Sequence, residues 1–68
     1  MSIERTVGIS AEDLERLEFL KRLDEADCEV TDWEAGFIAG FLDSPRGMTG
    51  PQRAAVDGMR RQYRDVVR

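Results

Sequence analysis

Apolar side chains recur at helical spacing near the start of the chain. The first stripe has a leucine at every third position: Leu14, Leu17, Leu20 and Leu23. Residues three or four apart share one face of a helix, so this pattern predicts a helix over about 11–25. Phe19 falls off the stripe, and it either widens the buried face or is left as a contact for a partner.

A second periodic segment lies at the end of the chain and predicts a helix over about 50–67. Its inward positions are expected to be Ala55, Val56, Met59, Tyr63 and Val66. The turn before this helix is marked by Pro45 and Gly47, because both residue types interrupt regular structure.

Three N-cap signatures mark where helices begin. Each places a Ser or Thr three residues before an acid or a Gln: Ser10 and Asp13, Thr31 and Glu34, Thr49 and Gln52. The last two pairs fit the capping box, in which each side chain bonds the other residue's backbone N–H. The first pair is a weaker, acidic version. Pro51 lies in the first turn of its helix, where a missing N–H costs little.

The middle helix is predicted over about 32–42, and residues 35–42 include no polar side chain. A helix that is apolar on every side is normally buried on every side. We therefore expect an all-α fold, a small three-helix domain with the second helix buried at its centre. Residues 1–9 precede the helices, and a flexible arm is the alternative to an ordered segment there.

Aromatic and glycine residues give this middle helix two distinct edges. Trp33, Phe37 and Phe41 follow each other at four-residue intervals and form a ridge. Gly36 and Gly40 lie near the opposite edge, where another backbone can approach closely. We prefer a role for these residues in the core of the domain. The alternative is a self-association or partner-binding surface.

The composition argues against an enzyme and against a bound cofactor. The 68 residues make one small domain, with no histidine and with Cys28 as the single cysteine. An internal disulfide and the usual zinc sites are therefore excluded, and the commonest acid–base residue is absent. A domain this small has a marginal core, so we expect a homo-oligomer. A free thiol without a signal-peptide pattern favours the cytoplasm, and no apolar run is long enough for a membrane span.

Charge is divided by position along the chain. Residues 1–43 carry a net charge of −8 and residues 44–68 a net charge of +4. Part of this asymmetry is ordinary helix chemistry, because pairs four residues apart neutralise one another. The predicted pairs are Glu12–Arg16, Glu18–Arg22 and Asp57–Arg61.

Two charged surfaces remain as candidates for binding. The acidic candidate, predicted to bind a protein, comprises Glu12, Glu15, Glu18, Glu25, Asp27 and Glu29. The basic candidate is an arginine stripe of Arg46, Arg53, Arg60, Arg64 and Arg68. Arginine is well suited to phosphate and carboxylate recognition, so this stripe is a solvated face, a site for an acidic protein, or a site for nucleic acid.

Residues 33–63 resemble a short helical segment of phage and bacterial accessory proteins. The shared features are Trp33-Glu34, Phe37, Gly47, the helix start at 48–52 and Tyr63. The resemblance implies an interaction or docking module and no catalytic residue.

The function predicted from the sequence is a non-enzymatic protein–protein interaction module. A phage-type adaptor or inhibitor of a larger host complex is one form that this role could take. The alternative is a nucleic-acid-binding accessory protein that uses the arginine stripe. No cofactor, metal or membrane partner is expected.

Overall fold

The computed structural model describes residues 8–26 and 28–67. They form three helices: α1 (Ala11–Glu25), α2 (Asp32–Asp43) and α3 (Gly50–Gln62). No strand occurs within the described residues, so the all-α, three-helix prediction is confirmed. A flexible arm was expected at residues 1–9, and residues 1–7 of it lie outside the described residues. Gly8 has a positive φ of 87°, a conformation that favours glycine.

The predicted caps begin all three helices. The Ser10 hydroxyl accepts the Asp13 N–H at 3.2 Å, and the Thr31 hydroxyl accepts the Glu34 N–H at 3.1 Å. Both capping boxes are complete, at Thr31 and at Thr49. A cap of this type contributes about 1 kcal/mol. At Ser10 no box forms, because the Asp13 side chain turns towards α3 instead.

Helix α3 is shorter than predicted and ends at Gln62, five residues before the expected end at 67. Past its end, the Tyr63 carbonyl accepts the N–H groups of both Val66 and Val67, at 2.9 Å and 3.0 Å, in a tight turn. This turn breaks the helical periodicity that the prediction assumed. The prediction of an inward Val66 was therefore wrong: Val66 is 47% exposed, and Val67 packs against the core instead.

The hydrophobic core lies between α1 and its two neighbours. Eight buried side chains form it: Phe19, Leu20, Leu23, Ile38, Phe41, Met48, Val56 and Met59. They come from every helix and from the loop between α2 and α3. Cys28, Val30 and Tyr63 are among the half-buried residues that pack around this cluster.

Helix α1, rather than α2, contacts both other helices. Its buried face is consequently wide and includes Phe19. Of the two alternatives predicted for Phe19, the wider buried face is the one observed. The face is also rotated away from the start of the leucine stripe, so that Leu14 is 36% exposed and Leu17 half-buried. The predicted leucine stripe is therefore fully buried only at Leu20 and Leu23.

The expectation of a buried, central α2 holds for only one face of the helix. Ile38 and Phe41 are buried, whereas Ala35, Gly36 and Ala39 are exposed. A single helix packed against α2 covers only one face, and α3 scarcely touches it. Glycine and alanine leave little apolar area to remove from water, so exposure of the opposite face costs little.

Candidate functional site

A buried carboxylate joins α1 to α3 and to the loop before α3. Asp13 is 1% exposed, and its Oδ1 and Oδ2 accept hydrogen bonds from Arg53 at 3.0 Å and 2.9 Å. Arg16 donates to Oδ1 at 3.0 Å, and the Met48 N–H donates to Oδ2 at 3.1 Å. The Arg53 bonds are the main cause that holds the pKa of Asp13 well below its ordinary value.

Arg16 extends this ionic network along the interface between α1 and α3. Its guanidinium donates to both carboxylate oxygens of Asp57, at 3.1 Å and 3.2 Å. These bonds lower the pKa of Asp57. Arg60 lies 4.0 Å from the same carboxylate. The predicted pairs Glu12–Arg16 and Asp57–Arg61 were therefore wrong, because Arg16 bridges two helices and Asp57 pairs with Arg16 and Arg60.

The sequence did not reveal the role of Asp13. The available signal was its position seven residues before Leu20, which places a charged side chain on the buried face of a helix. An acid in that position requires a cationic partner, since burying an unpaired charge is very costly. The partner itself, Arg53, lies 40 residues further along the chain.

A second polar link connects α2 to the end of α3. The Oε1 atom of Glu34 accepts the Thr31 N–H at 2.9 Å and the Tyr63 hydroxyl at 2.8 Å. The Thr31 bond is the largest cause that lowers the pKa of Glu34, while the neighbouring Glu34 carboxylate raises the pKa of Tyr63. Throughout the described residues, every buried side-chain polar atom has a hydrogen-bond partner.

Most of the predicted arginine stripe is occupied by contacts within the chain. Arg53 and Arg60 face Asp13 and Asp57, respectively. Arg46 donates to the Ser44 carbonyl at 2.8 Å, and its guanidinium lies 4.2 Å from the centre of the Phe41 ring. Arg64 is exposed, whereas Arg68 lies outside the described residues. The stripe is therefore largely a set of intramolecular contacts.

The predicted acidic surface is solvent-exposed. This holds for Glu12, Glu15, Glu18, Glu25 and Glu29, whereas Asp27 lies outside the described residues. Glu18 and Arg22 form the predicted pair, at 3.7 Å. Lys21 is also exposed on α1, so the acids of this helix share the surface with bases.

The acidic surface and the arginine stripe meet at one groove. It has a volume of about 480 Å³ and lies between α1 and the turn after α3. Glu15 and Glu18 lie on the α1 side, Arg60 and Arg64 on the α3 side, and Phe19 between them. Charges of both signs therefore line this groove.

The predicted aromatic ridge runs from solvent into the core. Trp33 is 63% exposed, Phe37 half-buried and Phe41 buried. Their ring centres are 5.2 Å apart for Trp33 and Phe37, and 5.0 Å apart for Phe37 and Phe41. The guanidinium of Arg46 covers the buried end of this stack, and no side chain of the described residues is found stacked on the other face of Trp33.

Beside the ridge, α2 presents a smooth surface of small side chains. Gly36, Ala39, Gly40 and Asp43 are exposed and lie within roughly 100° of one another around the helix. A methyl group added at Gly36 or at Gly40 would meet no atom within 4 Å. We call Trp33, Gly36, Ala39, Gly40 and Asp43, together with Asp32 at the helix start, the α2 surface.

Other kinds of site find no support in the described residues. No cluster of acids and cysteine there is arranged to hold a metal ion. Cys28 is half-buried beside a small cavity of about 130 Å³ that Leu23, Val30 and Ile38 help to line. None of the helices within the described part of the chain combines the length and apolarity needed to cross a bilayer.

Comparison with known proteins finds no match among protein-family models, curated proteins or solved structures. The resemblance of residues 33–63 to phage and bacterial accessory proteins therefore stays a prediction.

Proposed function

We propose that this protein is a non-enzymatic protein-binding module and that its partner covers the α2 surface. The observation that carries the proposal is the exposure of Trp33 beside a strip of small residues. Exposed apolar patches on a folded protein commonly mark interaction sites. Tryptophan is also among the residues most enriched at the energetic centres of protein interfaces.

The α2 surface lies outside the hydrophobic core of the domain. Its tryptophan is 63% exposed and stacks on Phe37, so most of the residue remains in water after folding. Its small residues contact nothing across the surface at Gly36 and Gly40. A partner that covered Trp33 would remove apolar area from water, and this burial would contribute to binding.

We prefer α2 to α1 as the binding surface because the charges on α1 are mixed. The acids of α1 are exposed, but Lys21 and Arg22 share that helix face. Helix α2 has no base, and its exposed acids, Asp32 and Asp43, stand at its two ends. We therefore prefer the α2 surface to the acids of α1 as the centre of the interface.

The nucleic-acid alternative draws no support from Arg16 and Arg53. Arg53 and Arg16 donate to carboxylates of the same chain. Phosphate binding through Arg53 would have to break its two bonds to a buried acid. Nucleic-acid binding remains an alternative prediction that a salt-dependent gel shift would test.

Site-specific photo-crosslinking tests the proposal directly. A small aliphatic diazirine amino acid, which adds little bulk to the surface, replaces Ala39 on α2 or, as a matched control, Ala54, which is exposed on α3. After irradiation in an extract of the source organism, we expect a protein adduct from position 39 that excess unmodified protein competes away. Equal adducts from both positions, or no adduct from position 39, would contradict the proposal.

The broader role, as an adaptor or inhibitor of a larger host complex, follows only if the adduct belongs to such a complex. Mass spectrometry of the cross-linked partner decides it.

A further inference from the structure

Resting on the proposed function, we infer that the α2 surface binds a basic α-helix of its partner. The partner helix carries one cation that stacks on Trp33 and a second cation, about three turns away, that pairs with Asp43. Small or apolar side chains lie between the two cations and face Gly36 and Gly40.

The aromatic ridge indicates where the first cation binds. The fold covers the inner end of the stack with Arg46, whose guanidinium lies 4.2 Å from the Phe41 ring centre. The outer end, at Trp33, is open and 63% exposed. Tryptophan binds cations over its face more strongly than the other aromatic residues do. Asp32, the preceding residue, is exposed and adds a negative charge to the same end of the helix.

Asp43 indicates where the second cation binds. It is exposed in the last turn of α2, where the negative end of the helix dipole disfavours an acid. No Lys or Arg of the described residues forms an ion pair with it. Arg46 is close in sequence but donates to backbone carbonyls of Gly40 and Ser44. Asp43 therefore has no ion-pair partner among the described residues, and a cation on the partner would supply one.

The spacing of the two acids gives the spacing of the two cations. Asp32 and Asp43 are eleven residues apart, which corresponds to about 16 Å along a helix axis. Eleven residues complete almost a whole number of turns, so both acids lie on one side of α2. A partner helix that lies along α2, in either direction, presents residues i and i+11 at the same separation and on one face.

The middle of the surface suits a closely packed helix. Helix axes approach to about 8–10 Å, and the side chains at the contact set this distance. Gly36 and Gly40 add no side chain, and nothing lies within 4 Å of where a Cβ would stand. A partner helix can therefore approach at the short end of this range.

A second copy of this chain is a poor occupant of the same surface. If two α2 helices met face to face, each acid would lie beside an acid of the other copy, in parallel or antiparallel order. Helix α2 offers no base to offset this repulsion, and juxtaposed like charges disfavour an association. The self-association predicted from Trp33, Gly36, Phe37, Gly40 and Phe41 is thus the competing outcome of the test.

Trp33 provides the measurement, because it is the single tryptophan of the chain. The probes are three tryptophan-free helical peptides with one alanine–leucine sequence. One carries two arginines eleven positions apart, one carries glutamates there, and one carries the arginines seven positions apart. Titration of the full chain is followed by the emission maximum of Trp33.

We expect a blue shift with the first peptide at micromolar concentrations and at least tenfold weaker binding of the other two. Asp43→Asn should weaken binding of the first peptide three- to tenfold, and Ala39→Arg should weaken that binding more than tenfold. Glu25→Gln and Ala54→Arg, at exposed positions elsewhere, are the matched controls and should leave it unchanged. Circular dichroism verifies that each variant is folded.

Equal binding of the arginine and glutamate peptides, or no shift with any peptide, would overturn the inference. A blue shift that grows with protein concentration in the absence of peptide would instead show that a second copy of this chain occupies the α2 surface. Cross-linking at position 39 does not depend on these peptides. A specific adduct without any peptide-induced shift would therefore support the proposed function and contradict only the inference that the partner presents a basic helix.

Discussion

The guanidinium of Arg53 forms two parallel hydrogen bonds with the carboxylate of Asp13, at 3.0 Å and 2.9 Å. Arg53 is partly exposed at the surface of α3, whereas Asp13 is almost completely buried on α1. The pair therefore anchors the first turn of α3 to the first turns of α1. The same carboxylate accepts the Met48 N–H, so Asp13 also holds the loop between α2 and α3.

Asp13→Asn should destabilise the domain by about 2–3 kcal/mol, since hydrogen bonds to charged groups are the stronger ones. The amide cannot accept on both of its atoms, so some of the donors from Arg53, Arg16 and Met48 lose their acceptor. Urea unfolding followed by circular dichroism measures the change. Glu12→Gln, at the exposed neighbouring position, is the control and should change the midpoint little. An equal effect of both variants would show that Asp13 does not anchor α3.

Stability should fall steeply in acid because three buried or half-buried acids have lowered pKa values: Asp13, Glu34 and Asp57. A group whose pKa is lower in the folded state contributes stability above its unfolded pKa. It loses that contribution as the pH falls towards and through the folded pKa. The free energy of unfolding should thus change little between about pH 5.5 and 7 and decrease below about pH 4, near the ordinary carboxyl pKa values. Urea titrations across this range should give a shallower acid slope for Asp13→Asn than for the natural chain.

Tyr63 should ionise above its ordinary pKa of 10.0, because its hydroxyl donates to the Glu34 carboxylate and the phenolate would face that charge. Ultraviolet absorbance reports this residue alone, since the chain has one tyrosine. Glu34→Gln should return the titration towards the ordinary value. Here the contribution to stability is present below the unfolded pKa and is lost as the pH rises through the folded one. A titration that is identical in the two proteins would rule out the hydrogen bond in solution.

Two aromatic residues of the same ridge should respond in opposite ways to truncation. Phe41→Ala should cost about 3–4 kcal/mol, as is usual for a buried phenylalanine. Trp33→Ala should cost less than about 1 kcal/mol, because the side chain is largely in water, yet it should abolish the adduct from position 39. Thermal or urea unfolding gives the first comparison and cross-linking gives the second. A loss of stability in Trp33→Ala as large as that in Phe41→Ala would place Trp33 in the core and remove it from the interface.

The sequence by itself determined the three helices and most of their ends. Ser10, Thr31 and Thr49 cap backbone groups only three residues away, and contacts of that range do not depend on the rest of the fold. The end of α3 was missed because a turn centred on the Tyr63 carbonyl stops the helix where the apolar pattern continues.

Tertiary structure alone decided which helix lies at the centre and what the charges do. Helix α2 has the more apolar sequence, but α1 has the two neighbours, so burial follows the number of packed faces rather than composition. Likewise, the sequence presents Asp13 as an ordinary acid in the first turn of a helix. Only its contact with Arg53 of α3 makes it a buried anchor. Local patterns report hydrogen bonds within a turn, whereas burial and ion pairing depend on which distant surface comes to lie opposite.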